Sequence, residues 1–235
     1  MNSPLAHITA FRIGPVAISQ AVVTTWAILA VLTVGAILVT RRMKQRPGAV
    51  QATLELIVEA VDSQIRDTMQ VEPGPYRSFI GTLFVFIFIA NWSTLIPGIA
   101  PPTAGLETDA ALAILVFLAI IRFGIRSGGI GGYLATFAAP SPLMIPLNIV
   151  ESITRTFSMF VRLFGNVMSG VFVVGIVLSL AGLLVPIPLM ALDLLTGAVQ
   201  AYIFSVLAMV FISSALRERK PTAHPQTPEP RTTKS

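Results

Sequence analysis

The chain has 235 residues, of which 54% are hydrophobic and 11% charged, with a mean hydropathy of +0.80. A soluble domain carries about a quarter charged residues, so a soluble enzyme or carrier is excluded and an integral membrane protein is expected. The net charge of +5 does not point to nucleic acid, because the basic residues stand beside apolar spans and in the C-terminal tail; cysteine is absent, so no disulfide or thiolate site exists.

The first apolar span is predicted over about Val16 to Val39. It lacks a basic stretch before it and is followed at once by Arg41, Arg42, Lys44 and Arg46. It therefore reads as a membrane helix with a cytoplasmic C-terminal end and not as a cleavable signal. From about Ala49 to Met69, Leu54, Ile57, Val58, Val61 and Ile65 recur at helical spacing with Glu55, Glu59, Asp62 and Arg66 between them. That pattern predicts an amphipathic helix on the cytoplasmic surface or against a partner, ended by Val71-Glu72-Pro73-Gly74-Pro75. The second span is expected over about Phe79 to Ile96, with Asn91 near its outer end, and the loop Pro97 to Asp109 is expected outside. Glu107 and Asp109 read there as ordinary loop or helix-start acids. The third span covers about Ala110 to Gly124 and is followed by Arg126 and a glycine-rich stretch, Ser127 to Gly132, read as a loop.

Two longer helices follow, one from near Pro142 or Pro146 to about Leu184, the other from Pro186-Ile187-Pro188 to about Leu216. Proline suits a first helical turn. A membrane span needs about 20 residues and the fourth helix has about 40, or roughly 60 Å. The pair is therefore expected to form a strongly tilted hairpin over 143–216. The fold class is all-α integral membrane: about five transmembrane helices and one amphipathic surface helix in a single domain, 1–235. Residues 1–15 form an outer segment, 49–70 the surface helix, and 217–235 a disordered cytoplasmic tail rich in Pro and Thr. All four basic clusters then lie on one side.

On the fourth helix Asn148, Glu151, Arg155, Ser158, Arg162, Asn166 and Ser169 are spaced three, four, three, four, four and three apart. These spacings place them on one face. On the fifth, Asp193, Thr196, Gly197 and Gln200 share a face. Single polar residues in membrane helices are usually interhelical glue. A stripe of seven holding two arginines and a glutamate is expected to line water or face a partner. Arg162 is the key residue, since a permanently charged guanidinium at membrane depth costs at least a few kcal/mol. A structural pair with Asp193 is the plainer alternative for it. Arg155 is open to snorkelling, Glu151 to pairing with Arg155, and Asn91 to helix glue. No metal motif, nucleophile elbow or P-loop is present in the sequence, so no cofactor is expected. A secondary transporter would usually show internal repeats, and the sequence shows none.

The run Ser158-Met159-Phe160-Val161-Arg162-Leu163-Phe164-Gly165-Asn166-Val167-Met168-Ser169-Gly170 resembles the signature of subunit a of F-type ATP synthases. Asn91 with Leu95-Ile96-Pro97-Gly98, Pro102-Thr103, and Gln200-Ala201-Tyr202-Ile203-Phe204 also match, so the resemblance covers nearly the whole chain and resembles a divergent bacterial branch. It implies a stator in a bacterial plasma membrane, N-terminus outside and C-terminus cytoplasmic, holding two offset half-channels against a rotating ring of subunit c. A peripheral stalk subunit b, the other synthase subunits, membrane lipid and H+ are the implied partners, with Na+ as the alternative coupling ion and no nucleic acid. Arg162 matches the arginine that separates the channels and engages ring carboxylates. Asn166 and Gln200 match polar residues near it, and Asp193 matches an ionisable position on the outer path. Glu151, Arg155 and Asn148 match the polar cytoplasmic end, with Ser169 and Asn91 as further path candidates. Many members carry an acid or histidine where this chain has Val171; the outer path must then rest on Asp193 with Glu107, Asp109 or Asn91, or on water.

Overall fold

A computed structural model describes residues 9–13, 16–41, 49–96, 101–137, 142–181 and 185–217. The elements are β1 (Thr9–Ile13), β2 (Val16–Ser19), α1 (Gln20–Arg41), α2 (Ala49–Met69), α3 (Gly74–Trp92), α4 (Leu106–Phe137), α5 (Ile145–Ala181) and α6 (Pro186–Arg217), with short 3-10 turns at Ser93–Leu95, Pro102–Ala104 and Pro142–Met144. Among the described residues five helices are long and apolar enough to cross a membrane. The protein is an all-helical, multi-pass membrane protein with one small hairpin before its first span.

That hairpin is one departure from expectation. Val16 to Ser19 is not the start of α1 but a strand, paired antiparallel with β1 so that Ile13 faces Val16 and Phe11 faces Ile18. The branched Val16 and Ile18 suit a strand as well as a helix, so apolarity alone did not separate them. A second departure is α4, which continues through Ser127 to Gly132 as helix. Gly129 there has φ +74, a conformation only glycine adopts without strain. The first and last segments, 1–8 and 218–235, lie outside the described residues, and so does the expected tail.

The core lies between α3, α4, α5 and α6, where Phe204, Ile87, Leu163, Met159 and Val116 are almost fully buried. α2 docks on this core through Ile65 and Met69. It is tied to α3 by a bidentate contact from the Arg77 guanidinium to Asp62, and to α6 by Tyr202, whose hydroxyl donates to Gln64 Oε1 at 3.2 Å. The Arg77 hydrogen bonds hold the Asp62 carboxyl below its usual range. Asp62 thus leaves the solvated face the sequence pattern gave it and closes the joint between α2 and α3.

α3 and α6 meet most closely at Gly197. A Cβ there would stand 2.9 Å from Asn91 Cβ, and Asn91 has little freedom to move. Its Nδ2 donates to Gly197 O at 2.9 Å, and its Oδ1 accepts from Thr103 Oγ1 at 2.8 Å. Gly197→Ala is therefore expected to cost about 1–3 kcal/mol by overpacking. The check is the thermal unfolding midpoint of the purified protein beside Gly35→Ala, whose added Cβ would meet nothing within 4 Å. Equal midpoints for the two variants would contradict the close approach.

Candidate functional site

α5 is 37 residues long, about 55 Å at 1.5 Å per residue, against a hydrocarbon core of about 30 Å. It forms because its apolar and small residues recur without an interior proline after Pro146. Met159, Leu163 and Val167, at i, i+4, i+8, turn inward and are buried. The polar stripe stands beside that inward face. Glu151, Ser158, Arg162 and Ser169 are exposed, and Asn148, Arg155 and Asn166 are half-buried.

Arg162 lies near the middle of α5 and makes no hydrogen bond or ion pair among the described residues. Val161 beside it in the chain is 45% exposed, and Ser158 and Ser169 on its own face are exposed too. Arg155 behaves differently. It pairs with Glu151 one turn away, donates to Ser214 Oγ of α6 at 3.2 Å, and stacks over Phe211 with its guanidinium carbon 5.3 Å from the ring centroid. The two arginines of the stripe are thus opposite cases, one bound into the chain and one left for something outside it.

The plain alternative for Arg162, a pair with Asp193, is not formed. Asp193 packs against Gly170, where an added Cβ would fall 2.0 Å from Asp193 Oδ1. The missing side chain at Gly170 is what lets α6 bring a carboxylate this close to α5. Asp193 also lines a cavity of about 260 Å³ with Thr94, Pro101, Gly170, Val171 and Met190. Val171 therefore contributes an apolar wall to the same cavity.

Counting along the antiparallel helices sets the depths. Arg155 meets Ser214 near one end of the hairpin and Gly170 meets Asp193 toward the other. From Gly170 to Arg162 is 170 − 162 = 8 residues, and from Asp193 to Gln200 is 200 − 193 = 7 residues. Both are about 11–12 Å of helix, so Gln200 stands level with Arg162 to within about a turn. Gln200 is 6% exposed and its buried Nε2 has no hydrogen-bond acceptor. The Asn166 side chain is half-buried, while its backbone carbonyl accepts from Ser169 Oγ at 2.9 Å. Asn91 is 5% exposed and tied into the interior by Thr103 and Gly197, apart from the Asp193 cavity. Asn148 is bonded and half-buried near the start of α5.

Asp109, read from the sequence as a helix-start acid or a secondary candidate for the outer path, lies in the first turn of α4, is 0% exposed, and has no hydrogen-bond partner for either carboxylate oxygen among the described residues. Glu107, two residues earlier, does behave as a helix-start acid and accepts from Ser19 Oγ at 2.8 Å. The available signal was the 3-10 turn that precedes Asp109: its prolines and Gly105 fold the loop inward, and the Asp109 amide donates to Gly105 O at 3.3 Å.

The site thus holds an exposed arginine with no partner among the described residues and, further along the hairpin, a cavity lined by Asp193. Comparison with known proteins identifies the group. The family model described as ATP synthase A chain matches residues 22–213. The chain belongs to the ATP synthase subunit a family. It is 53% identical over 215 residues to "ATP synthase subunit a 2" of Bradyrhizobium sp., covering 92% of this chain and 96% of that one. It is 45% identical over 214 residues to "ATP synthase subunit a" of Albidiferax ferrireducens, covering 90% and 93%. It is 45% identical over 216 residues to "ATP synthase subunit a 1" of Chlorobaculum parvum, covering 91% and 96%. As a member of the subunit a family, the chain is a membrane component of a multisubunit F-type ATP synthase.

Proposed function

We propose that the chain is the ion-translocating stator of that synthase. Two offset half-paths carry H+ to and from carboxylates on a rotating ring of subunit c, and Arg162 stands between them. The observation that carries this reading is the state of Arg162: exposed, charged, near the middle of a membrane helix and unpaired among the described residues. Such a charge at membrane depth is expensive unless it meets water or an anion, and an anion on a neighbouring subunit would supply the partner its own chain does not. A ring carboxylate arriving there exchanges its proton for the guanidinium as partner, since a nearby positive charge favours the ionised form.

The relative levels of these residues along the hairpin support this division. Asp193 and its cavity serve the outer path, and Glu151, Arg155 and Asn148 line the approach from the cytoplasm, with Asn166, Ser169 and Gln200 near the exchange point and Asn91 bracing the outer side. Residues 1–15 stand outside and 217–235 in the bacterial cytoplasm. The peripheral stalk grips α2, whose Leu56, Ile57 and Val58 are exposed apolar side chains. The chain itself has no nucleotide site and works as a passive conductor. Each elementary charge crossing is worth about 2.3 kcal/mol per 100 mV, so several crossings must be summed mechanically to make one ATP.

Na+ is the second reading for the coupling ion, favoured by Val171, which leaves the Asp193 cavity with one titrating group among its described lining residues. The test is ATP-driven ion uptake by the reconstituted complex, with sodium varied and a protonophore added. Proton uptake that needs no sodium is the expected result. Sodium uptake that survives the protonophore would replace H+ with Na+, and no uptake of either ion would end the stator reading.

A further inference from the structure

The stator reading leaves Asp109 without a task, and its surroundings give it one. Ala110 and Ala113 of α4 line a cleft together with Phe157 and Phe160 of α5. Thr108 and Ala111 line another with Leu83 and Phe86 of α3. Asp109 is buried, and the cleft shared by its neighbour Ala110 and Phe160 sets it within about a turn of the level of Arg162 on α5. The charged groups described on the elements packed against α4 are Arg41 on α1, Arg77 on α3, Glu151, Arg155 and Arg162 on α5, and Asp193 on α6. On α4 itself they are Glu107, Arg122 and Arg126. None of them pairs with Asp109.

A bare ionised carboxylate in such a place costs several kcal/mol or more, whereas a neutral acid needs only a partner for one O–H. A neutral carboxyl of this kind can pass its proton on and be reloaded. At the same depth, Gln200 Nε2 is a buried donor without an acceptor. The two vacant valences are of opposite sense, and no hydrogen bond joins them in this structure.

Resting on the stator reading, we infer that Asp109 is a proton-carrying residue of the transport path, in series with Asp193 and deeper than it. A proton arriving from the outer side bonds to a carboxylate oxygen of Asp109, and the same O–H bond breaks as the proton leaves toward the ring carboxylate. No group is oxidised and the side chain returns to its starting state. This second acid takes up the work that the apolar Val171 cannot do.

The experiment uses the complete synthase reconstituted in vesicles, with proton flux driven from the outer side and followed across external pH. Asp109→Asn is expected to slow flux at least about tenfold and to remove one titration step from the pH profile, while Asp109→Glu restores flux with a displaced profile. Hydrophobic carbodiimide, which reacts with protonated buried carboxyls, is expected to label Asp109 in the unmodified complex. This readout stands even if Asp109→Asn fails to assemble. A wild-type rate and pH profile in Asp109→Asn, absence of label at every pH, or a change confined to the half-saturating sodium concentration would each overturn the assignment. Arg162→Ala in the same vesicles separates the two failures. Flux lost there but normal in Asp109→Asn removes only the role of Asp109, whereas coupled flux surviving in Arg162→Ala removes the stator reading itself.

Discussion

Arg162→Ala, assembled with its partner subunits, loses ATP-driven ion uptake by about a hundredfold or more, the scale on which removing one preorganised charged donor acts. The variant stays inserted, because Arg162 makes no contact that holds the chain together: it has no hydrogen bond or ion pair, and the packing of α5 rests on Met159, Leu163 and Val167 on the inward face. Removing an exposed charge from a membrane helix even favours insertion. Loss of transport with retained assembly is thus the signature of a group that acts on something outside the chain. Arg162→Lys keeps the charge but not the planar fork that engages a carboxylate bidentately, so it is expected to recover part of the uptake at most. The measurement is uptake normalised to assembled complex, and wild-type uptake in Arg162→Ala would sink the assignment.

The second large effect is expected at Asp193. Asp193→Asn preserves shape and hydrogen-bonding capacity while removing the titrating group, and ion entry from the outer side should fall about tenfold or more. Assembly should be spared, because the contact at Gly170 tolerates an amide of the same size. Val171 and Asp193 line one cavity, so Val171→Glu placed in the Asp193→Asn background should return part of the flux by supplying a carboxylate to the same space. Passive flux under an imposed gradient, measured for the single and double variants, decides the matter. Unchanged flux in Asp193→Asn places the outer path elsewhere.

The broad architecture was legible because a membrane reduces the problem to apolar length. All five spans, the surface helix at Ala49–Met69 and the α5–α6 pair follow from runs that no soluble core would need. The polar stripe was legible too, since helical spacing alone puts Arg162 and its companions on one face. What could not be read was what each member of the stripe meets. Arg155 and Arg162 are one and the same residue type two turns apart, yet one is clasped by Glu151 and Ser214 and the other by nothing. That difference is set by where α6 crosses. Asp62 and Asp109 were hidden for the same reason. Both look like acids on a solvated turn or face, and tertiary packing puts Asp62 against Arg77 and shuts Asp109 away from water. The continuation of α4 across Ser127 to Gly132 depends on a single left-handed glycine that no composition rule would allow for.

The side of α5 that carries Arg162 changes character along its length. Val173, Ile176 and Leu180, toward its C-terminal end, are exposed and offer a neighbour dispersion contacts, each worth about 0.1–0.2 kcal/mol and none of them directional. A surface pressed against that end can slip sideways by trading one carbon contact for the next. Closer to Arg162 the exposed Ser158 and Ser169 and the half-buried Asn166 add directional contacts. On the stator reading, the face would be smooth at one end and would catch where the charge and the hydroxyls stand.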